Sequence, residues 1–379
     1  MNSFSSDLDF LLSKDDNLLI LSNETGKSQI IVSPKYQGKV FTSTANGRDG
    51  LSFGYINYKA FETDVLDEHI NVYGGENRFW LGPEGGKFSI FFLPDSEQIF
   101  ENWRTPSSID TEGWSLVSSS KNEVVMAKST RLKNSMDCVL DIDLNRKVSL
   151  LLKSEISSLL DVSIPSNIQV VAYKTENSIT NRNNFEWNKE TGTVCIWMLD
   201  MFNPSPNALT IIPYNEGSEE SMGRIVTTDY FGEIPIDRIK LDDENIYLKT
   251  DGCYRCKLGL NALRTTSLAA NYDPDCNRLT VVTFNTDKQA IYLNQEWGVD
   301  KKSFDGDALN AYNDGPLEDG SIMGPFLELE SSSPAAFLKP NKTLTHYHSV
   351  FHFMGDEQSL SEISTKLLGV SNRQLKNIF

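Results

Sequence analysis

The chain has 379 residues and carries 52 acidic against 35 basic side chains, a formal net charge of −17. Negative charge of this size repels phosphate backbones and anionic lipid surfaces, so we expect no nucleic-acid partner. No run approaches the ~18 apolar residues of a membrane span, so we expect no span either. The first residues lack the basic start and apolar run of a secretion signal. This predicts a cytoplasmic protein if Met1 is native and a periplasmic one if a signal has been removed.

The chain divides into a short helical start and one long β-rich domain. In residues 1–17 leucines recur with helical spacing after the candidate caps Ser5 and Ser6. From residue 18 onward, short β-rich runs alternate with turn clusters such as ETGK and NKETG. Ser359 and Glu362 fit the capping box of a C-terminal helix. The sequence therefore predicts an all-β fold of stacked antiparallel sheets, with one sandwich domain over residues 18–379 and short helices at both ends.

The segment HINVYGGENRFWLGPEGG is unusually rich in glycine and precedes a very apolar strand. Glycine allows tight turns and the close approach of a ligand. Arg78 lies two residues before Trp80, and an arginine beside an aromatic ring suits a polyhydroxylated ring or a carboxylate. The segment predicts either a substrate-binding loop or a tight structural corner.

Two carboxylates lie close together in the strand-like run FLELES. Glu328 and Glu330 are two residues apart, so both point to the same face of a strand. If they are buried, their mutual repulsion raises the proton affinity of one of them, which makes either a candidate general base. On an exposed face they would only add solubility.

Three of the four histidines share one face of the next predicted strand, THYHSVFHF. His346, His348 and His352 alternate with apolar or aromatic residues. Two neighbouring imidazoles could bind one metal ion with help from elsewhere, but His346 and His352 are too far apart to share it easily. Proton transfer near neutral pH and an ordinary, partly solvated strand face are the other interpretations. We assign no metal ligand here and expect no cofactor.

Several of these runs together resemble a known family. FLELESSSPAAFLKPNKTLTHYH resembles the C-terminal signature of the galactose mutarotase (aldose 1-epimerase) superfamily, and VYGGENRFWLGPEGG is similar to its early glycine and Arg-x-Trp segment. The resemblance covers residues 18 to 370. Within the superfamily, the chain is similar to a Bacteroidetes branch of unknown function. It implies a β-supersandwich with a sugar-sized cleft on one concave sheet.

The resemblance also implies roles for individual residues. Glu328 lies at the position that resembles the family's general base, with Glu330 as the close alternative. Arg78 lies where the family uses a substrate-binding arginine, and Trp80 lies beside it. Asp314 in YNDGP is a hydroxyl acceptor by proximity in sequence. The reaction implied is the interconversion of sugar anomers by Glu/His acid–base chemistry.

The sequence departs from the family pattern at the proton donor. Tyr73 precedes the early glycine pair where the family has a histidine, and residues 70–345 contain no histidine. The donor would then be His346, His348 or Tyr73.

Three hypotheses remain open at this point. The first is an epimerase-like enzyme. The second is a non-catalytic sugar-binding protein that uses Trp80, Trp187 and Trp297 as stacking platforms, and the third is a metal-dependent carbohydrate enzyme. In each case the expected partner is a monosaccharide or oligosaccharide, and we expect a monomer.

Overall fold

The structure, a computed structural model, describes residues 2–63 and 65–379. In this part of the chain the strands are β1 (Leu19–Ser22), β2 (Gln29–Ser33), β3 (Lys39–Thr44), β4 (Arg78–Gly82), β5 (Ser115–Ser119), β6 (Glu123–Lys133), β7 (Val139–Leu150), β8 (Gln169–Asn181), β9 (Cys195–Phe202), β10 (Leu209–Pro213), β11 (Ile239–Leu241), β12 (Asn245–Lys249), β13 (Cys256–Leu260), β14 (Leu268–Asp273), β15 (Arg278–Phe284), β16 (Leu309–Asn313), β17 (Leu327–Ser332) and β18 (Thr343–Met354). The helices are α1 (Phe4–Leu12), α2 (Ser107–Asp110), α3 (Lys153–Leu160), α4 (Glu219–Met222), α5 (Glu357–Leu368) and α6 (Asn372–Leu375).

The strands form three antiparallel sheets, which confirms the all-β prediction. A ten-stranded sheet has the order β11-β12-β10-β14-β15-β18-β8-β7-β6-β5, and a five-stranded sheet has the order β13-β16-β17-β9-β4. A third sheet contains only β1, β2 and β3. The two larger sheets pack face to face, because their inward apolar side chains belong to one buried cluster.

The helices cover surfaces that the sheets leave apolar. Helices α3, α5 and α6 pack their apolar sides on the outer face of the ten-stranded sheet, against residues such as Phe351 and Phe353 of β18. Helix α1 packs through Phe4, Leu8 and Leu11 near the three-stranded sheet. No helix in the described residues is long and apolar enough to cross a bilayer.

Both terminal helices begin earlier than the sequence predicts. Ser3, and not Ser5 or Ser6, caps α1 by accepting a hydrogen bond from the Ser6 amide. Asp356 caps α5 by accepting a hydrogen bond from the amide of Ser359, the residue that we expected to be the cap. In each case the cap lies three residues before a backbone amide of the first turn, and its side chain accepts a hydrogen bond from that amide.

A buried polar layer lies between the two larger sheets. His348 Nε2 on β18 is 2.6 Å from Asp200 Oδ2 on β9, and its Nδ1 is 2.8 Å from the Ser331 hydroxyl on β17. Asp200 also accepts a hydrogen bond from Asn77, whose side-chain oxygen accepts one from Arg146. Because buried polar groups need partners, these bonds tie the two sheets together at defined positions.

Candidate functional site

The outer face of the five-stranded sheet collects charged and aromatic side chains. The strand register aligns Lys257 of β13, Tyr312 of β16, Glu328 of β17 and Met201 of β9 in one row across the sheet. The adjacent row brings Glu330 next to Leu199, which is paired with Arg78. Since side chains alternate along a strand, Leu327 and Leu329 point the other way into the core.

Two glycines allow the chain to enter β4 with Arg78 in this position. Gly74 and Gly75 have φ angles of 84° and 129°, in the left-handed region. A Cβ on Gly74 would lie 2.2 Å from the carbonyl oxygen of Tyr55, which no other residue could tolerate without a backbone shift. The glycine-rich segment is therefore a tight corner, and it brings Arg78 into the cleft.

Loops close over this face to form a cleft of about 140 Å³. Its charged lining residues are Arg78, Glu84, Arg255, Lys257, Glu328 and Glu330. Its larger aromatic residues are Trp80, Phe100, Trp103, Trp197, Phe231, Trp297, Tyr312 and Phe326. Concave sites with aromatic walls and a few converging polar groups are typical of small-molecule binding.

The central polar contact is a buried ion pair between Arg78 and Glu328. The side chains are only 7% and 9% exposed. The Arg78 guanidinium also lies over the Trp80 ring, 5.1 Å from its centroid, and its Nε atom has no hydrogen-bond partner in the described residues. Trp80 therefore holds the arginine in place while part of its donor capacity stays free for a ligand.

Burial raises the pKa of Glu328 to about 7. Arg78 and Lys257 favour the charged carboxylate, but Glu330 and Asp314 oppose it, and desolvation is the largest effect. A carboxyl group that titrates near neutral pH is suited to accept and return a proton.

Glu330 differs from Glu328 in its partners, because two side chains donate to one of its oxygens. Its Oε2 atom accepts hydrogen bonds from Lys257 Nζ at 2.8 Å and from Trp197 Nε1 at 2.9 Å. Lys257 also lies over the rings of Trp197 and Tyr230. These contacts keep Glu330 in a fixed position, where it acts on Glu328 mainly through its charge.

Two further acids lie at or near the cleft. Burial raises the pKa of Glu84, which lines the cleft and whose backbone amide donates to Gln295. Burial also raises the pKa of Asp307 to about 6, and its carboxylate accepts a hydrogen bond of 2.7 Å from the Tyr230 hydroxyl. Glu84 is therefore a cleft carboxyl group that burial shifts toward its neutral form.

The sequence of the chain matches a family described as of unknown function, DUF6786, over residues 2–379. The chain belongs to DUF6786. No curated protein sequence matches it.

Solved structures show which fold this DUF6786 chain has. It is similar to a galactose mutarotase-like protein from Lactobacillus casei, with 10% identity, a TM-score of 0.51, and coverage of 89% of this chain and 100% of the other. It is also similar to the Slr1438 protein from Synechocystis, with 13% identity, a TM-score of 0.52, and coverage of 89% and 96%. The DUF6786 chain thus has the galactose mutarotase-like fold that its sequence resembles.

Five of the residues singled out in the sequence meet in the cleft of the DUF6786 chain, namely Arg78, Trp80, Trp297, Glu328 and Glu330. Asp314 lies next to the cleft, where it accepts hydrogen bonds from the Tyr312 hydroxyl at 2.6 Å and from the Gly324 amide at 3.0 Å.

Tyr73 and Trp187 lie elsewhere. Tyr73 packs against Tyr36 and Phe61 near α1, because its neighbour Val72 faces the cleft. Trp187 is fully buried and donates a hydrogen bond to Asn183, so it offers no stacking surface. Trp297 does line the cleft.

The positions of His346 and His348 are a correction to the sequence analysis. Both are fully buried between the sheets and contact the hydroxyl of Ser331, which points away from the cleft. Burial and the neighbouring His348 lower the pKa of His346 to about 3. The three histidines do share one face of β18, but that face is packed against the other sheet instead of being partly solvated. In the described residues, no group of three His, Cys, Asp or Glu side chains is arranged to hold a metal ion.

Several cleft residues were not predicted from the sequence, including Glu84, Trp103, Phe231, Arg255 and Lys257. One sequence feature could have indicated Lys257, because it is a lone lysine inside the apolar run CKLGL. The others lie in loops, whose position over the sheet depends on the whole fold.

Proposed function

We propose that this chain binds a sugar in the cleft and interconverts its anomers, with Glu328 as the general base. The observation that carries the proposal is the position of Glu328, a buried carboxyl group with a pKa raised to about 7, at the floor of an aromatic-walled cleft. Aromatic rings stack well on the apolar faces of sugar rings. The galactose mutarotase-like fold of the solved relatives supports this chemistry, but only by analogy.

The reaction needs one base and one acid. Glu328 removes the proton from the anomeric hydroxyl, the bond between C1 and the ring oxygen breaks, and C1 becomes a carbonyl. The ring oxygen takes a proton from an acid, for which Glu84 is the group in the cleft that burial keeps toward its neutral form. Rotation about the C1–C2 bond and the reverse steps then give the other anomer and restore both groups.

A second candidate function is sugar binding without catalysis. It is favoured by one observation: none of the chain's four histidines is among the residues that line the described cleft. An imidazole is the commonest acid–base group near neutral pH, so a cleft without one is equally suited to holding a ligand.

The test is exchange between anomeric signals in magnetisation-transfer NMR, with neutral and acidic aldoses. We expect the wild type to accelerate exchange and Glu328→Gln to lower the rate at least about 100-fold, because the amide cannot accept the proton. Glu176→Gln, on a strand of the other sheet, is the matched control and should keep the wild-type rate. Full exchange by Glu328→Gln would reject Glu328 as the base. Binding without any acceleration by the wild type would support the second function.

A further inference from the structure

Arg255 is a cation without an acidic partner in the cleft. Its side chain makes no hydrogen bond and no ion pair within the described residues, and its Nε atom is buried without a partner. The other two cations that line the cleft have acidic partners, since Arg78 contacts Glu328 and Lys257 contacts Glu330. A buried guanidinium N–H group without an acceptor is costly, so a ligand that supplies one is favoured.

The nearby acids do not remove this imbalance. Arg255 acts electrostatically on Asp314 and Glu84, but neither carboxylate forms an ion pair or a hydrogen bond with it within the described residues. Asp314 is already bonded to Tyr312 and Gly324. The cleft therefore has one positive charge that its own carboxylates do not pair.

An aromatic ring holds Arg255 in position. The guanidinium carbon lies 4.2 Å from the centroid of the Phe231 ring, which belongs to the loop on that side of the cleft. Stacking on one face leaves the N–H groups at the guanidinium edge free to donate. The arginine is thus oriented before a ligand arrives, which reduces the entropy cost of binding.

Arg255 and Glu328 enter the cleft from different places along the sheet. Arg255 directly precedes β13, which is two strands away from β17 in the sheet. At the usual strand spacing this separates their backbones by roughly 10 Å. Both side chains line the same cleft, which has a volume of about 140 Å³.

We propose that Arg255 binds the carboxylate of an acidic sugar, so that the substrate is a uronate. The inference rests on the proposed function and names its substrate class. A single unpaired positive charge matches a carboxylate, which carries one negative charge, better than a phosphate, which carries about −1.5 to −2 at neutral pH. The planar fork of arginine also fits the two carboxylate oxygens.

The test is the dissociation constant, measured by calorimetry, of D-glucuronate and D-galacturonate against their neutral parents D-glucose and D-galactose. We expect one uronate to bind the wild type at least about tenfold more tightly than its parent. Arg255→Gln should lose at least about tenfold in affinity for the uronate and less than about twofold for the parent, whereas Arg255→Lys should keep part of the preference. Arg131→Gln, at an exposed site on β6, is the control.

Several results would overturn the inference. They are equal affinity for uronate and parent, a loss in Arg255→Gln that affects both sugars alike, tighter binding of glucose 6-phosphate than of either uronate, and no binding of any sugar. The proposed isomerase activity fails separately. If a uronate binds through Arg255 but no anomer exchange occurs, the isomerase proposal is rejected and the uronate proposal stands. If neutral sugars exchange anomers and Arg255→Gln does not change the affinity for uronates, the isomerase proposal stands and the uronate proposal is rejected.

Discussion

Two glutamates on one strand face have different properties because their partners differ. Glu330 receives two hydrogen bonds, from Lys257 and Trp197, and serves as a fixed anion. Glu328 has Arg78 as its partner, and desolvation with nearby negative charge raises its pKa to about 7. The separation of roles between two similar side chains therefore comes from their surroundings.

The pKa of Glu328 predicts how activity depends on pH. A base must be ionised in the free enzyme, so kcat/KM should rise between about pH 6 and 8, with a midpoint near 7. Arg78→Gln removes a positive charge that favours the carboxylate, so this midpoint should move to higher pH. Arg131→Gln should leave it unchanged. A midpoint that stays near 7 in Arg78→Gln would mean that another group controls the rate.

At the scale of the element, β13 shows how a strand makes space for an acid. A Cβ on Gly259 would lie 2.0 Å from Asp307 Oδ2 and 2.7 Å from Asn310 Nδ2. The absence of a side chain lets the Asp307 carboxylate rest against the strand and accept the hydrogen bond from Tyr230. The bonded pair of Asp307 and Tyr230 therefore forms a rigid polar group beside Lys257 of the cleft.

Gly259→Ala should therefore destabilise the protein. The added methyl group displaces Asp307 and weakens its bond to Tyr230, so we expect a loss of about 1–3 kcal/mol in the free energy of unfolding. Urea denaturation followed by fluorescence measures it. Gly113→Ala is the control, because the nearest atom to its Cβ would be 3.3 Å away, and its loss should be smaller. Equal stability of the two variants would contradict the crowding argument.

Strand periodicity predicted which side chains share a face, but not where each face lies. The alternation in β17 and β18 placed Glu328 with Glu330, and His346 with His348, as observed. Which face meets the cleft depends on the sheet packed behind the strand, and a two-residue period contains no such information. For this reason the glutamates were located in the cleft through the family resemblance, while the histidines were assigned to the wrong side of the sheet.

Residues contributed by loops were beyond the reach of sequence patterns. Arg78 and Glu328 are 250 positions apart, and only the resemblance joined them before the structure did. Arg255 and Phe231 lie outside regular strands and helices, so no periodicity marks their contact. Such contacts are decided by the closure of the whole domain.

At the scale of the whole molecule, the polar layer between the sheets joins them through defined partners. Asp200 on β9 contacts both His348 and Asn77, and all of these side chains are fully buried. Apolar burial is non-directional, whereas each of these hydrogen bonds needs a defined distance and angle and is lost if the sheets shift. The layer thus specifies how the five-stranded sheet sits on the ten-stranded one.

Asp200→Ala should destabilise the fold strongly. It removes the buried acceptor of His348 Nε2 and of the Asn77 amide nitrogen, so we expect a loss of about 3–5 kcal/mol in the free energy of unfolding. Asp143→Ala removes an ion pair with Arg182 at the surface and should cost less than about 1 kcal/mol. Chemical denaturation of both variants measures the difference. Similar small losses would show that the polar layer contributes little to sheet packing.

The alternation along β9 and β17 also has a practical consequence for directed evolution. Glu328 and Glu330 face the cleft, while Leu329 and Ser331 face the interior. A gene library that varies every second codon of these strands would therefore sample new ligand preferences and leave the interior unchanged. A library of the same size that is shifted by one codon would instead vary the interior residues, and most of its clones would produce insoluble protein.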